Sequence, residues 1–367
     1  MKPSPIRSLL PAAMPVLPAP LPAAVAALRF SVPAAVAALR GPLAAAAAAL
    51  LTALPAQARD LPVLTVYAED YITSEWGPGP GIETGFEAFC DCDLRFVTGD
   101  ILPRLLIEGA STQADVVFGL NTDVTARARA SGLFAPHGQD ISGMSLPVPW
   151  TDDIFLPYNW GETAFIYDET RLDNPPRSFA ELLDAPDDLK IVIQDPRSSI
   201  SGLALLLWVK AIYGDDAPGA WEKLAPKVLT VTRGWSESYG MFTEGEADMV
   251  LSYTTSPAYH IAAENDRTKK AAMFPEGHYF MTELAAQLKG TDQPELAQRF
   301  MDWILTPEFQ ATIPLANWSL PAKLPQDQWP QVMRDLPRPE KTLFLSETEA
   351  ESLRQPALDE WLRAFSR

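Results

Sequence analysis

The residues best suited to chemistry lie in one run, Val250-Leu251-Ser252-Tyr253-Thr254-Thr255-Ser256-Pro257-Ala258-Tyr259. An apolar strand, Met249-Val250-Leu251, opens there into hydroxyl-bearing residues closed by Pro257. Open α/β sheets present ligand contacts in this way, at the carboxyl ends of their strands. Tyr253 and Tyr259 offer flat faces to a ring, and Thr254, Thr255 and Ser256 offer donors to its polar edges. The same residues also read as an ordinary strand-to-helix turn with a Ser or Thr cap.

A second group is Asp195-Pro196-Arg197-Ser198-Ser199-Ile200-Ser201-Gly202, ahead of the apolar run Leu203–Val209. A strand end, a Ser/Gly loop and a helix start make an anion cradle from free backbone N–H groups and the helix dipole. No Gly-Lys-Ser or Gly-Lys-Thr is present, so this is not a P-loop, and a plain Ser N-cap fits the same residues. Trp235 follows Gly234 just past a strand, and Trp318 lies in a loop after a helix. With Tyr253 and Tyr259, these rings could enclose a flat cationic heterocycle, a desolvated cation–π contact contributing about 2 kcal/mol.

Charge and composition narrow the ligand classes. Residues 1–58 hold Lys2, Arg7, Arg29 and Arg40 but no acid; beyond them remain 25 basic and 47 acidic residues, a formal charge of −22. Such a balance argues against nucleic acid, whose phosphates demand Lys and Arg. It raises the local concentration of cations, small cationic ligands among them. The apolar run Leu43–Leu54 after Arg40, followed by Ala56-Gln57-Ala58, reads as a secretory signal peptide over 1–58. It is too short for a membrane anchor. Its unusual length points to an internal start, such as Met14 or a later codon. In an oxidising compartment, Cys90 and Cys92 are expected to pair despite the awkward C-x-C spacing. With His137, His260 and His278 as the only histidines, a zinc site is a poor reading.

These groups need elements to position them. At 367 residues and 47% apolar content the chain can fold as more than one domain. Strands are expected at 63–67, 94–97 and 115–119, alternating with helices at about 82–89, 101–108 and 124–131, the pattern of a helix-wrapped parallel sheet. Residues 76–80 (Trp-Gly-Pro-Gly-Pro) read as a rigid loop. Two extended segments, 154–159 and 163–167, carry the chain into a second unit. There a capped helix runs through Leu183, strands fall at 191–194, 228–231 and 248–253, and a helix at about 201–213. Residues 282–288 lead back, and helices with Pro in the first turn follow at 294–305 and 307–313. The last helix sets Leu358, Trp361, Leu362 and Phe365 on one face, so it should dock. The fold class expected is α/β: two lobes, each a mixed or mostly parallel sheet wrapped by helices, with ligand in the interlobe cleft. The division is 59–160 plus 286–367 for one lobe and 161–285 for the other.

Val63–Tyr67, Trp76–Pro80, Gln194–Arg197, Gly234–Glu237, Leu251–His260 and Ile313–Trp318 together resemble the periplasmic thiamine-binding proteins, in order and spacing. The likeness runs from about Leu61 to Arg367, and the unbroken stretch Tyr253–Tyr259 is its most specific part. It implies a type II-like periplasmic binding protein that captures thiamine and its mono- and diphosphate for an inner-membrane ABC permease. A monomer without cofactor, metal or catalysis is implied as well. By position, Trp235, Tyr253, Thr254, Thr255, Ser256, Tyr259 and Trp318 would contact the aminopyrimidine and thiazolium. Ser199 and the Ile200 backbone would hold the hydroxyethyl or phosphate end. Asp70 and Trp76 would line the other lobe, Asp70 placed to pair with the cation or the pyrimidine amine. Gly99 and Asp100 match a ligand-contacting loop that is shorter here. Glu69 stands where relatives can carry an aromatic ring, exchanging stacking for charge.

Two other readings compete with this one. Iron-binding proteins of this architecture often use adjacent tyrosines, and no Tyr-Tyr pair occurs. A thiaminase-like enzyme needs a free Cys thiolate with a base in reach, whereas Cys90 and Cys92 are expected to be paired and outside the cleft. No Ser-His-Asp order or Gly-x-Ser-x-Gly elbow appears either.

Overall fold

The computed structural model describes residues 61–74 and 77–366, so the expected signal peptide and Trp76 lie outside the described residues. Nine strands carry the architecture: β1 (Val63–Ala68), β2 (Asp93–Thr98), β3 (Val116–Asn121), β4 (Leu156–Asp168), β5 (Ile191–Gln194), β6 (Val228–Thr232), β7 (Met249–Tyr253), β8 (Lys269–Ala271) and β9 (His278–Gln287). Their order is β2-β1-β3-β9-β4-β7-β5-β6, with β8 paired to β4. β1, β2 and β3 are mutually parallel, as are β7, β5 and β6, while β9 and β4 run antiparallel to their neighbours.

Alternation along each strand sends side chains to two faces, and both faces are buried, as parallel sheets require. In β1, Leu64 and Val66 enter one core with Phe86, Phe118 and Phe300, whereas Tyr67 enters another with Leu105 and Phe134. In β7, Met249 and Leu251 join Trp208 and Trp221, and Val250 joins Tyr239 and Phe242. Two sheets, each covered on both faces, make the two lobes. β4 and β9 run between them: Leu156–Glu162 of β4 pairs with β9, and Thr163–Tyr167 pairs with β7.

The helices follow from capping and apolar spacing. α1 (Gly79–Cys90) begins inside the segment expected as a rigid loop, because Pro80 in its first turn lacks an amide that the turn leaves unpaired anyway. α2 spans Ile101–Glu108, α3 Thr125–Ala130, and α4 Phe179–Asp184 with Ser178 capping Glu181 N. α5 (Ile200–Tyr213), α6 (Ala217–Leu224), α7 (Trp235–Thr243), α8 (Pro257–Ala263) and α9 (Pro294–Trp303) follow. Cys90 and Cys92 are bonded, their Cα atoms 5.2 Å apart, and both are buried beside Phe86.

Three features differ from expectation. The extended segments at 154–159 and 163–167 are one strand, since Gly161 and Glu162 keep pairing with Met281 and Phe280. The helix expected at 307–313 is two short turns, Pro307–Gln310 and Ile313–Ala316, each opened by a proline. The C-terminal helix, Glu347–Phe365, is expected in the first lobe. Its first turn does meet α3, where Arg129 pairs with Glu347, but the rest packs on α5 and α6. Burial decides this: Trp361 and Ala357 enter the core of Trp208 and Trp221, with Leu358, Leu362 and Phe365 against it. Trp361→Ala should therefore cost about 3–5 kcal/mol of stability, read from the midpoint of denaturant unfolding.

Candidate functional site

The carboxyl end of β7 is held by hydrogen bonds before any ligand is considered. Thr254 N donates to Glu162 O at 2.9 Å, extending the pairing of Tyr253 with Thr163. Ser252 Oγ receives the Trp235 indole N–H at 2.8 Å and lies 2.7 Å from Ser256 Oγ. The Tyr253 hydroxyl meets Ser201 Oγ at 2.7 Å, tying the hydroxyl loop to the first turn of α5. Thr254 Oγ1 is buried with no hydrogen-bond partner among the described residues. Thr255 and Ser256 are buried too, whereas Tyr253 and Tyr259 keep partly exposed rings. The turn is thus stabilised by its own hydroxyls, while Tyr253 and Tyr259 remain half-buried.

Ser199 is the N-cap residue of α5, but its side chain makes no cap hydrogen bond, so its hydroxyl remains available. Ser198 Oγ is engaged, donating to Arg233 O at 2.8 Å. Gly202 explains how α5 starts so close to the sheet. A Cβ there would stand 2.5 Å from Gln194 O at the end of β5, closer than any side chain can come.

The rings form a connected run. Trp235 stacks on Tyr239 (4.7 Å between centroids, 21° between planes), and Tyr239 on His260 at 5.8 Å. Tyr259 meets His260 at 5.1 Å and Trp318 edge-on at 5.2 Å. Such pairs add about 0.5–1.5 kcal/mol each beyond their burial. Trp318 has a φ of +51°, uncommon for a bulky residue. Asn317 beside it is anchored, its amide donating to Glu283 and to Ser319 Oγ at 3.1 Å each.

Glu283, on β9, is the residue that sequence reasoning missed. It accepts hydrogen bonds from Tyr71 and Asn159, from Tyr158 at 3.2 Å and from Asn317. Burial raises its pKa above the ordinary carboxyl range, and those four donors offset the rise only in part. A single Glu in an apolar strand was the available signal, since an acid there must find partners. The other lobe adds Glu69 and Asp70 after β1 and Gly99–Asp100 after β2, the two loops joined by Gly99 N to Ala68 O at 3.1 Å. Asp70 and Asp100 are exposed, and Asp100 lies 3.7 Å from Arg233 of the opposite lobe. Asp123 is buried near β9, its pKa pushed up to about 7 by desolvation against the Tyr279 hydroxyl bond of 2.7 Å.

The structure therefore gathers Ser199, Ile200, Trp235, Tyr253, Thr254, Thr255, Ser256, Tyr259 and Trp318 along linked elements. Gly99, Asp70 and Asp100 sit on the loops of the first lobe that face them, with the Asp100–Arg233 contact between. What the arrangement offers is aromatic faces, the unengaged hydroxyls of Ser199 and Thr254, and carboxylates on the loops after β1 and β2.

Comparison with known proteins agrees with this architecture. The profile of the bacterial extracellular solute-binding proteins matches residues 84–311. The thiamine-binding periplasmic protein of Brucella melitensis is 48% identical over 316 residues, 85% of this chain and 94% of that protein. That of Escherichia coli K12 is 46% identical over 310 residues, 83% and 94% respectively. A solved periplasmic thiamin binding protein superposes with a TM-score of 0.81 at 46% identity, covering 84% of this chain and 97% of that one. The chain belongs to the bacterial extracellular solute-binding proteins, whose two-lobed α/β fold it has. Within them it is similar, over most of its length, to proteins named for binding thiamine in the periplasm.

Asp123 supplies a pH test of the crossing-strand region. Its folded pKa lies above the unfolded value, so its stabilising contribution is complete below about pH 4 and is lost as pH rises through about 7. Asp123→Asn keeps an acceptor for Tyr279 but removes that term. Unfolding free energies measured across this range should fall with pH more steeply in the wild type than in the variant.

Proposed function

We propose that this protein is a periplasmic solute-binding protein that captures thiamine and its phosphate esters and hands them, unaltered, to an inner-membrane ABC permease. The observation that carries the reading is the continuous run of rings from Trp235 to Trp318 beside the hydroxyls of β7, with exposed Asp70 and Asp100 on the loops after β1 and β2. Thiamine has two aromatic rings and a fixed positive charge, which suit such faces through stacking and cation–π contact. The similarity to thiamine-binding relatives over most of the chain supports the same ligand.

In this reading Trp235, Tyr253, Tyr259 and Trp318 hold the rings, and Thr254, Thr255 and Ser256 meet their polar edges. Ser199 and the Ile200 amide receive the hydroxyethyl or phosphate end. Asp70, Gly99 and Asp100 close from the first lobe. The lobes divide where β4 and β9 cross, near residues 160 and 285, and the C-terminal helix straddles both. The protein works as a monomer and performs no catalysis.

The direct test is mass spectrometry of ligand released from freshly purified protein, where thiamine or a phosphate ester is expected. Trp235→Ala and Tyr259→Ala should each weaken thiamine binding by about tenfold or more, the scale of a lost cation–π or stacking contact, with the fold retained by circular dichroism and any loss of stability read separately from the melting temperature. Calorimetry showing full affinity in both would remove the proposed cleft. Ser199→Ala should weaken the phosphate esters more than thiamine, and equal losses for all three would make Ser199 structural.

A further inference from the structure

His260 stands behind the run of rings, in the last turn of α8, and is only 1% exposed. Its carbonyl accepts from Glu264 N at 3.1 Å and from Asp266 N at 2.9 Å, so the main chain is fixed where the helix ends. The ring is fixed as well: Nδ1 meets Glu264 Oε2 at 2.6 Å, and Nε2 meets the Tyr239 hydroxyl at 2.9 Å. A carboxylate only accepts, so in the neutral ring Nδ1 carries the proton and Nε2 is left to accept from Tyr239. Both nitrogens are thereby spent. Asp266 lies close to this group, but its carboxylate is held by Thr268 N and Lys269 Nζ at 2.8 Å each, so the cluster needs no metal ion to be satisfied.

This histidine reaches two of the rings of the cleft. The buried Tyr239 lies between His260 and Trp235, and each successive plane is turned by 21°. Trp235 is half-buried, with one face on Tyr239 and its indole N–H tied to Ser252 Oγ, so its other face is the one left for a ligand. Tyr259 stands edge-on to His260, at 5.1 Å and 73°. Stacked rings slide over one another at little cost, because the offset geometry is shallow in energy. A hydrogen bond at the ring edge is directional and removes that freedom. The Tyr239 hydroxyl bond to His260 is such an edge bond, and the Glu264 contact keeps the acceptor nitrogen turned towards it.

We propose that His260, clamped between Glu264 and Tyr239, is a positioning residue that sets the planes of Trp235 and Tyr259 without touching the ligand they hold. The inference deepens the proposed function and rests on it for the ligand. Glu264, exposed at the end of α8, fixes which imidazole nitrogen bears the proton. His260 in turn fixes the hydroxyl of Tyr239, and the Tyr239 ring is the platform on which Trp235 lies. Rings held in place before binding lose less freedom when the ligand arrives, so the same contacts give a higher affinity.

The test is calorimetric titration of the full mature chain with thiamine, at a temperature below the unfolding midpoint of every variant. Tyr239→Phe keeps the stacked ring and removes only its hydroxyl, and Glu264→Ala removes the carboxylate at an exposed position; each should weaken binding about threefold to tenfold. Glu264→Gln keeps an oxygen that accepts from Nδ1 and should bind within about twofold of the wild type. Added to Trp235→Ala, Tyr239→Phe should cause little further loss, because its effect passes through that indole. Full affinity in Tyr239→Phe and Glu264→Ala, whatever their melting temperatures, overturns the positioning role and leaves the thiamine reading standing. So does a strictly additive loss in the double variant. A loss in Glu264→Gln as large as in Glu264→Ala makes the charge of the carboxylate the cause and overturns the role as well. Wild-type protein that binds no thiamine overturns both readings.

Discussion

A carboxylate cannot leave water without partners, and Glu283 makes that constraint structural. Its four donors come from the turn after β1, from β4 and from the loop of Trp318, so one buried acid fastens three separate segments to β9. Removing a donor would leave a charge deep in the protein with too few hydrogen bonds, which makes the arrangement close to all-or-none. The strand carrying it also pairs with β3 and β4, so these contacts lie where the chain passes between the two sheets.

From that fixed floor the two sides of the cleft acquire different characters. The β7 side is neutral and aromatic, its hydroxyls largely spent on holding Ser252, Tyr253 and Trp235 in place. The β1 and β2 side is acidic, with Glu69, Asp70 and Asp100 on adjoining loops. In the proposed function a flat cation would satisfy both at once, its faces against rings and its charge towards carboxylates. Division of this kind also lets the lobes contribute separately, stacking from one and electrostatics from the other, and the Arg233–Asp100 contact shows that the two sides come within ion-pair distance.

Much of the site could be read from the chain. The hydroxyl run after β7, the Ser199 turn before α5, and the rings of Trp235, Tyr259 and Trp318 all follow local rules, since each sits at a strand end, a helix start or a loop. Glu69 could be read only as a substitution of charge for ring. Glu283 was missed because its partners lie 212, 125, 124 and 34 residues away.

The sequence by itself determined the alternation of strands and helices, the α/β class and the acidic balance, because periodicity, capping and net charge are local or additive properties. It also carried the resemblance that names a ligand class. Tertiary structure decided what is not local. It made β4 one continuous strand through Gly161 and Glu162, and it sent the C-terminal helix across α5 and α6, where Trp361 could be buried. It also decided which acids are satisfied, because a hydrogen bond depends on distance in space and the chain records only order.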